Sequence, residues 1–326
     1  MSLPVIAQRQ IERRIDRHRR RWPGPVRLQI ARRTLQSSVL LLLFLVPILS
    51  LYQNLSNQRD EVGIEARWDT RMVHQAVSTL DHPETLTQAV RGSAWTLKAG
   101  DLVISDPLAV AEFVAASRVF WDPFLWTAAI PILLSLVLGR VFCGWICPAD
   151  LLFEIAGKAR QWAGIRTDVT FSRATKYAVL GVGLVGSALA GSQLLAEVYP
   201  PRIIGAELYL WITFGAFGAG AWFFLLLVAF EIFVSKRFWC RYVCPGGALY
   251  SLLGRRRRLR LEINSDACTE CKLCDLSCEF GLQPMASDLG PECNNCGLCV
   301  RACGHDALVW TWGLPSSRPE ETETKT

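Results

Sequence analysis

Histidine is scarce in this chain and is absent from its long apolar runs. Only four histidines occur, His18, His74, His82 and His305, and there is no C-x-x-C-H sequence. Haem is usually held by axial histidines, and in membrane carriers of electrons these lie inside the spanning helices. The sequence therefore excludes haem b held by paired histidines within spans, and c-type haem attached in the usual way.

The chain also lacks a cleavage site after its first apolar run. Residues 1–34 carry ten arginines and two acids, and the pair Arg32-Arg33 precedes the apolar run as in a twin-arginine export signal. No A-x-A-like site follows, and further apolar segments occur downstream, unlike in an exported protein. We interpret residues 1–34 as a basic cytoplasmic segment, partly helical, that lies against anionic lipid headgroups.

Composition favours a membrane protein with an electron-transfer or metal function. Hydrophobic residues make up 51% of the 326 positions, and the net charge of +6 is concentrated beside apolar segments. This charge indicates membrane orientation, and we predict no nucleic-acid partner. The twelve cysteines follow cluster-like spacings next to basic segments, which favours a reducing compartment over a disulfide framework.

Four apolar runs predict four transmembrane helices in a bacterial inner membrane, with both termini in the cytoplasm. Within the first outer loop, Asp106-Pro107 and the apolar residues after it predict a helix that leads back to the bilayer. The predicted segments are a basic segment 1–34, a first span 35–52, a periplasmic loop 53–120, a second span 121–142, a cytoplasmic loop 143–173, a third span 174–199, a periplasmic turn 200–206, a fourth span 207–234, a cysteine-bearing segment 235–254, a soluble module 255–313 and a disordered tail 314–326.

The soluble module contains the run C-x-x-C-x-x-C-x-x-x-C twice. Such a run supplies three thiolates to one 4Fe-4S cluster, and in two-cluster ferredoxins its fourth cysteine binds the other cluster. We therefore predict a small α+β, bacterial ferredoxin-like domain with two 4Fe-4S clusters. Structural zinc is the alternative, although zinc sites favour separated C-x-x-C pairs. The predicted ligands are Cys268, Cys271, Cys274 and Cys303 for the first cluster, and Cys293, Cys296, Cys299 and Cys278 for the second.

A second cysteine motif, C-x-x-x-C-P, also occurs twice, with its first cysteines 97 residues apart. The spacing indicates an internal repeat of two helical hairpins, each ending in a cysteine pair at the cytoplasmic face. Four converging thiols would bind a further iron-sulfur cluster or another soft metal, or would cycle through disulfides. Simple helix packing is the remaining interpretation. The motifs are Cys143 to Pro148 and Cys240 to Pro245, with thiols at Cys143, Cys147, Cys240 and Cys244.

Few acids are placed for proton exchange. Glu231 is the only acid well inside an apolar run, which makes it a candidate for a proton or quinone role. The alternative is an acid that snorkels toward Lys236 or Arg237. His305 either tunes a cluster or lies at the surface, and Asp150 and Glu154 are predicted to be ordinary acids of a helix surface. A second candidate group lies at the predicted outer mouth: Glu197, Tyr199, Arg202 and Glu207.

The motifs resemble those of one family of membrane proteins, the NapH type with its NosR-type and MauN-type relatives. The resemblance runs from the basic N-terminus to the double cysteine run, and its most specific parts are F-C-G-W-I-C-P at 142–148 and C-P-x-G-A-L-Y at 244–250. It implies a quinol dehydrogenase component that passes electrons from membrane quinol through iron-sulfur centres toward a periplasmic reductase. The loop 53–120 is longer than in the nitrate-reductase members, and the flavin-attachment signature of the NosR type is absent.

From the residues and the resemblance we predict an electron-transfer subunit that uses the quinone pool as substrate. Its predicted partner is a periplasmic or membrane oxidoreductase, or a ferredoxin-type subunit of one, and membrane lipid surrounds it. Two other functions remain open. One is a maturation factor that reduces or hands on a metal such as copper through the C-x-x-x-C-P cysteines. The other is a scaffold whose clusters are structural.

Overall fold

The structure, a computed structural model, describes residues 23–57, 67–77, 90–92, 96–99, 102–120, 122–165, 168–286 and 289–313. The predictions for residues 1–22 and for the tail at 314–326 lie outside these ranges. The described elements, in chain order, are α1 (Pro23–Asn57), α2 (Trp68–Val77), β1 (Val90–Gly92), β2 (Thr96–Ala99), β3 (Leu102–Ser105), α3 (Pro107–Ser117), α4 (Ala129–Leu138), α5 (Pro148–Trp162), α6 (Thr175–Ala190), α7 (Pro200–Phe214), α8 (Ala219–Phe233), α9 (Pro245–Leu253), β4 (Leu259–Ile263), α10 (Leu273–Ser277), α11 (Leu298–Ala302) and β5 (Leu308–Trp312).

Helix α1 is longer than the predicted first span and begins inside the basic segment. Its stretch Val26–Ser56 is, among the described helices, the one long and apolar enough to cross a membrane. The expectation that the basic segment lies against lipid is wrong for Arg32, whose side chain is 1% exposed and is used in ion pairs within the protein.

The other predicted spans contain shorter helices than expected. A 3-10 helix, Pro123–Ala128, and α4 occupy the second span. Helix α6 ends before Gly191, whose φ of +65° is left-handed, so the helix is shorter than the predicted span 174–199. Likewise α7 ends at Gly215 with φ of +68°, and a new helix, α8, completes the fourth predicted span.

The chain folds back along α6 after Gly191. A β-carbon at Gly183 would lie 2.1 Å from Leu195 Cδ2, and one at Gly186 would lie 3.1 Å from Leu194 Cδ1. The small residues of α6 therefore make room for its own returning segment. This segment ends at Tyr199, and α7 starts at Pro200, so the prediction of a turn over 200–206 is wrong.

Proline stands at the first helical position of α3, α5, α7 and α9. Its fixed φ suits a helix start, and its missing N–H costs nothing there. Asp106 caps α3, since its side chain accepts the Leu108 N–H at 2.8 Å. The prolines of both C-x-x-x-C-P motifs start α5 and α9, so each motif begins a helix and does not end one.

The two halves of the chain repeat the same order of elements. In the first half, α3, α4, a π-helical turn and α5 follow one another, and in the second half α7, α8, a π-helical turn and α9 do so. The residues before the two leading helices meet, because the Tyr199 hydroxyl donates to Asp106 Oδ2 at 2.9 Å. This order agrees with an internal repeat, although each half is more than a simple hairpin.

The C-terminal module is built on a two-stranded sheet. Strands β4 and β5 are antiparallel, with Leu259 opposite Trp312 and Ile263 opposite Leu308. Helices α10 and α11 pack against each other beside the sheet. The core consists largely of cysteines and aliphatic residues: Leu261, Cys274, Leu289, Cys293, Cys299, Cys303, Ala307 and Leu308.

Candidate functional site

The two cysteine runs of the module have matching backbone conformations. Glu270 and Lys272 in the first run have positive φ, as do Asn295 and Gly297 at the same positions of the second. Gly281 and Asp306, three residues after the last cysteine of each run, are also left-handed. These turns let backbone N–H groups reach sulfur, as from Glu270 to Cys268 Sγ at 3.4 Å and from Ala307 to Cys303 Sγ at 3.3 Å.

The predicted ligands of the first cluster line one cavity. Cys268, Cys271, Cys274 and Cys303 share it with aliphatic side chains such as Ile263 and Leu308, and it holds ≈ 320 Å³ of empty space including its mouth. Cys271 is exposed, so this cavity opens at the protein surface. His305 also lines it and is itself exposed, which places the imidazole at the rim.

The predicted ligands of the second cluster also lie together, closer to the rest of the protein. Burial raises the pKa of the Cys299 thiol, and the neighbouring thiols of Cys296, Cys293 and Cys278 raise it further. Cys278 Sγ accepts the Leu282 N–H at 3.4 Å. Throughout the described part of the chain, no three His, Cys, Asp or Glu side chains are placed to hold a single metal ion.

The four thiols of the C-x-x-x-C-P motifs form one group, which we call the quartet: Cys143, Cys147, Cys240 and Cys244. Burial raises the pKa of the Cys147 thiol, with further contributions from Cys143 and Cys244. Burial likewise raises the pKa of the Cys240 thiol, and Cys244 and Cys147 raise it further. The structure thus brings the two pairs together, as the internal repeat predicts.

A π-helical turn precedes the second cysteine of each pair. The Cys147 N–H donates to the Phe142 carbonyl at 2.9 Å, and the Cys244 N–H donates to the Trp239 carbonyl at 2.8 Å. Each bond spans five residues, so the paired cysteines do not share one face of a regular α-helix. Such turns are rare and are frequent at functional sites.

A buried arginine stands three residues before each pair. Arg140 Nη1 lies 2.6 Å from Glu292 Oε2, and Lys176 binds the same carboxylate. Arg237 Nε lies 2.8 Å from Glu279 Oε2. Burial alone would raise the pKa of Glu292 and of Glu279, but the nearby cations outweigh it and both pKa values are lowered.

The acids of α5 are buried, so the expectation that Asp150 and Glu154 are surface residues is wrong. Asp150 is 1% exposed, and its carboxylate lies 2.7 Å from Arg32 and 2.7 Å from Arg237. Glu154 is 6% exposed and pairs with Arg32 and Arg33. These partners are distant in the sequence, and a single chain gives no signal for them.

The module docks directly on the first π-helical turn. Trp145 Nε1 donates to the Asn295 carbonyl at 3.1 Å, and Gln29 Nε2 of α1 donates to the Cys296 carbonyl at 2.6 Å. Gly144 lies under Asn294, and a β-carbon there would be 2.8 Å from the Asn294 carbonyl oxygen. The second cluster's cysteine loop therefore lies against the quartet's turn.

We expect Gly144→Ala to loosen this docking. The added methyl group overlaps the Asn294 backbone, which is fixed, and overpacking of this kind costs about 1–3 kcal/mol. Hydrogen exchange of the full-length protein should become faster over residues 293–296. Gly157→Ala is the matched control, since nothing lies within 4 Å of its β-carbon position. Unchanged exchange in Gly144→Ala would contradict the docking described here.

Glu231 is buried and holds the second π-helical turn. Glu231 is 2% exposed, and its Oε1 accepts the Trp239 N–H at 2.9 Å. This contact positions Trp239, which directly precedes Cys240. The proton role remains a prediction.

The predicted group at the outer mouth is divided by the structure. Glu197 and Arg202 form an exposed pair at 2.8 Å, whereas Glu207 accepts the Gly218 N–H at the start of α8. Tyr199 is 3% exposed, and a β-carbon at Gly246 would lie 2.6 Å from its ring. Tyr199 therefore lies beside the second cysteine motif and apart from the other three.

Two buried acids were not singled out by the sequence as functional candidates. Asp106, 6% exposed, accepts the Tyr199 hydroxyl. Glu112 is fully buried and accepts the Ser187 hydroxyl at 2.9 Å and the Ala196 N–H at 3.1 Å. Asp106 caps α3 and Glu112 lies on it, and their distant partners come from α6 and from the segment that returns along it.

The quartet is a suitable place for an anionic group. Arg140 Nε and Trp239 Nε1 are buried, and neither has a hydrogen-bond partner among the described residues. Arg140 lies beside Cys143, and Trp239 packs in the same cluster as Cys147, Cys240 and Cys244. Unpaired buried donors are costly unless something accepts from them. Four thiols with two neighbouring arginines and unpaired donors fit an iron-sulfur cluster, whose sulfides and thiolates carry negative charge.

Comparison with known proteins supports 4Fe-4S binding by this chain. A family described as a 4Fe-4S binding domain matches twice, at residues 121–166 and 216–263, and so covers both C-x-x-x-C-P motifs. The chain is similar to the ferredoxin-type protein NapH of Haemophilus influenzae, with 33% identity over 238 residues, 67% of this chain and 81% of the relative. No solved structure matches the chain.

Two further relatives match the chain at comparable identity and coverage. The ferredoxin-type protein NapH of Escherichia coli is 29% identical over 65% of this chain and 78% of its own length. The methylamine utilization ferredoxin-type protein MauN of Methylobacillus flagellatus is 29% identical over 69% of each chain. The matches support 4Fe-4S binding and a ferredoxin-type role in electron transfer.

Proposed function

This chain belongs to the family of ferredoxin-type NapH and MauN proteins, and from that premise we propose that it exchanges electrons between the quinone pool and a redox partner through 4Fe-4S clusters. The observation that carries the proposal is the order of its three cysteine groups. The quartet's first turn lies against the second cluster's cysteine loop, and the first cluster's cavity opens at the surface.

The chain's cysteines would hold three centres. Cys268, Cys271, Cys274 and Cys303 would ligate the first cluster, Cys278, Cys293, Cys296 and Cys299 the second, and the quartet a further iron-sulfur centre. When bound, these groups accept and release single electrons. The protein contributes the thiolates, the N–H groups that reach sulfur and the buried arginines beside the quartet.

We place the protein in the bacterial inner membrane, with α1 crossing it. The apolar helices that accompany α1 expose large side chains: Leu133 on α4 is 60% exposed, Leu189 on α6 is 79% exposed, and Leu226 on α8 is 71% exposed. Exposed apolar surface of this extent marks contact with lipid or with another protein. We also propose four spanning elements and cytoplasmic termini, and the basic residues near the module support this orientation.

From this arrangement we propose an order in which electrons pass between the centres. Electrons would move between quinone in the membrane and the quartet, then to the second cluster, and then to the first. The open cavity at Cys271 is where a soluble or membrane-bound redox partner would approach. The physiological partner would be an oxidoreductase or its ferredoxin-type subunit.

Mixing the protein with a quinol analogue or with a quinone tests the proposal. Full-length protein, purified anaerobically with its clusters, should bleach in visible absorbance when mixed with a reduced quinol analogue, or its reduced clusters should be re-oxidised by the quinone. A variant with Cys271→Ser should retain the rapid exchange with quinone, because that residue lies at the far end of the path. Failure in both directions, with copper reduction by the quartet intact, would contradict electron exchange with quinone and favour the maturation function.

A further inference from the structure

Phe280 contacts the two arginines that precede the cysteine pairs. The guanidinium carbon of Arg140 lies 5.6 Å from the centroid of the Phe280 ring, and that of Arg237 lies 5.9 Å from it. Phe280 is 4% exposed and stands two residues after Cys278. Both distances fall within the range of cation–π contacts. Arginines from both halves of the repeat therefore converge on one residue of the second cluster's loop.

Each arginine is also tied to an acid next to a ligand of the second cluster. Glu292 directly precedes Cys293, and Glu279 directly follows Cys278. Arg140 is 1% exposed and binds Glu292, while Arg237 is 2% exposed and binds Glu279. The first cluster shows no such arrangement in the described residues, since Ala267 and Gly304, at the matching positions, carry no charge.

The same arginines face the quartet. A β-carbon at Gly247 would lie 2.8 Å from Arg140 Nη2 and 3.5 Å from Cys244 Cβ, and Arg237 stands three residues before Cys240. Arg140 Nη2 also donates to the Cys240 carbonyl at 3.4 Å, which joins the two halves of the repeat. Each arginine thus lies beside a cysteine pair of the quartet and also binds an acid next to a ligand of the second cluster.

From these contacts we infer that Arg140 and Arg237 are shared counter-ions of the quartet centre and the second cluster, held in place by Phe280. The inference rests on the proposed function. Reduction adds one electron to a centre without making or breaking a bond, and the added negative charge is stabilised by a nearby buried cation. One arginine therefore raises the reduction potentials of both centres, and the two centres feel each other's charge.

These arginines are positioning and tuning residues, and their removal should change two potentials together. In Arg140→Gln, the equilibrium constants for reduction of the quartet centre and of the second cluster should each fall about tenfold, which is ~59 mV for a one-electron couple. The first cluster should keep its potential. Arg140→Lys retains the charge and should restore most of the loss.

The measurement is a redox titration of the full-length, anaerobically purified protein, followed by EPR, with signals assigned by loss in the cysteine variants. Arg256→Gln is the control, because Arg256 is an exposed arginine. Glu292→Gln gives a test of opposite sign. It leaves Arg140 and Lys176 without their acid, so both potentials should rise.

Separate outcomes overturn the inference and the proposed function. If the third signal is present but only one potential moves, or all three move equally, the arginines are not shared counter-ions. If wild-type protein has no third centre, the proposed quartet centre fails and the inference fails with it. Should Arg140→Gln not assemble its clusters, the direction of the shift in Glu292→Gln decides the question.

Discussion

Replacement of all four quartet cysteines by serine is expected to lower the iron content from about 12 to about 8 atoms per chain, because one of three 4Fe-4S centres is lost. The clusters of the C-terminal module should remain, since their eight cysteines are separate residues. Colorimetric iron and sulfide analysis of protein prepared without oxygen gives the result directly. An unchanged iron content would show that the quartet holds no iron.

A paired variant makes this prediction sharper. The quartet draws two thiols from each half of the repeat, and a cluster needs all four. Replacing Cys143 and Cys147 alone should therefore remove as much iron as replacing all four. If each pair held an independent ion, the paired variant would remove only half as much. Zinc in place of iron in the same analysis would favour structural metal sites.

Arg237→Leu is expected to cost about 3–5 kcal/mol of folding free energy, because removing one partner of a buried ion pair leaves charges without compensation. Arg237 is 2% exposed and binds Asp150 at 2.7 Å and Glu279. Chemical unfolding of the detergent-purified protein measures the loss. The variant should also release the module, since Glu279 belongs to it.

Arg202→Leu is the control for this prediction. Arg202 pairs with Glu197 at 2.8 Å, but the two side chains are 35% and 68% exposed. Exposed pairs contribute about 0–1 kcal/mol, so little change is expected. Equal losses in the two variants would show that the buried network around Asp150 does not hold the module in place.

The local parts of the site could be predicted from the sequence. Cysteine spacing alone grouped Cys268, Cys271, Cys274 and Cys303, and the structure places these four around one cavity. The repeat of C-x-x-x-C-P indicated that four thiols meet, and they do. Both predictions depend on short-range patterns or on a duplication, which a single sequence records.

The spans were harder to predict because hydropathy does not register glycine conformation. Residues 174–199 are mostly apolar, but the left-handed backbone at Gly191 turns the chain back along α6. The same applies to Gly215 in the fourth predicted span. Apolar content measures where a segment can lie, and it carries no information about where the helix within it ends.

The charged residues were misjudged for a different reason. Asp150 and Glu154 lie one turn apart on α5, which is the usual pattern of a solvated helix face. Their partners are Arg32, more than 100 positions earlier, and Arg237, more than 80 later. Such pairings depend on tertiary packing, and no periodicity reveals them.

The docking of the module on both cysteine-bearing turns constrains the order of biogenesis. Asn294 covers Gly144, and Glu279 and Glu292 close over Arg237 and Arg140. We therefore expect the proposed quartet centre to be loaded before the module docks, because the docked module covers this side of both turns.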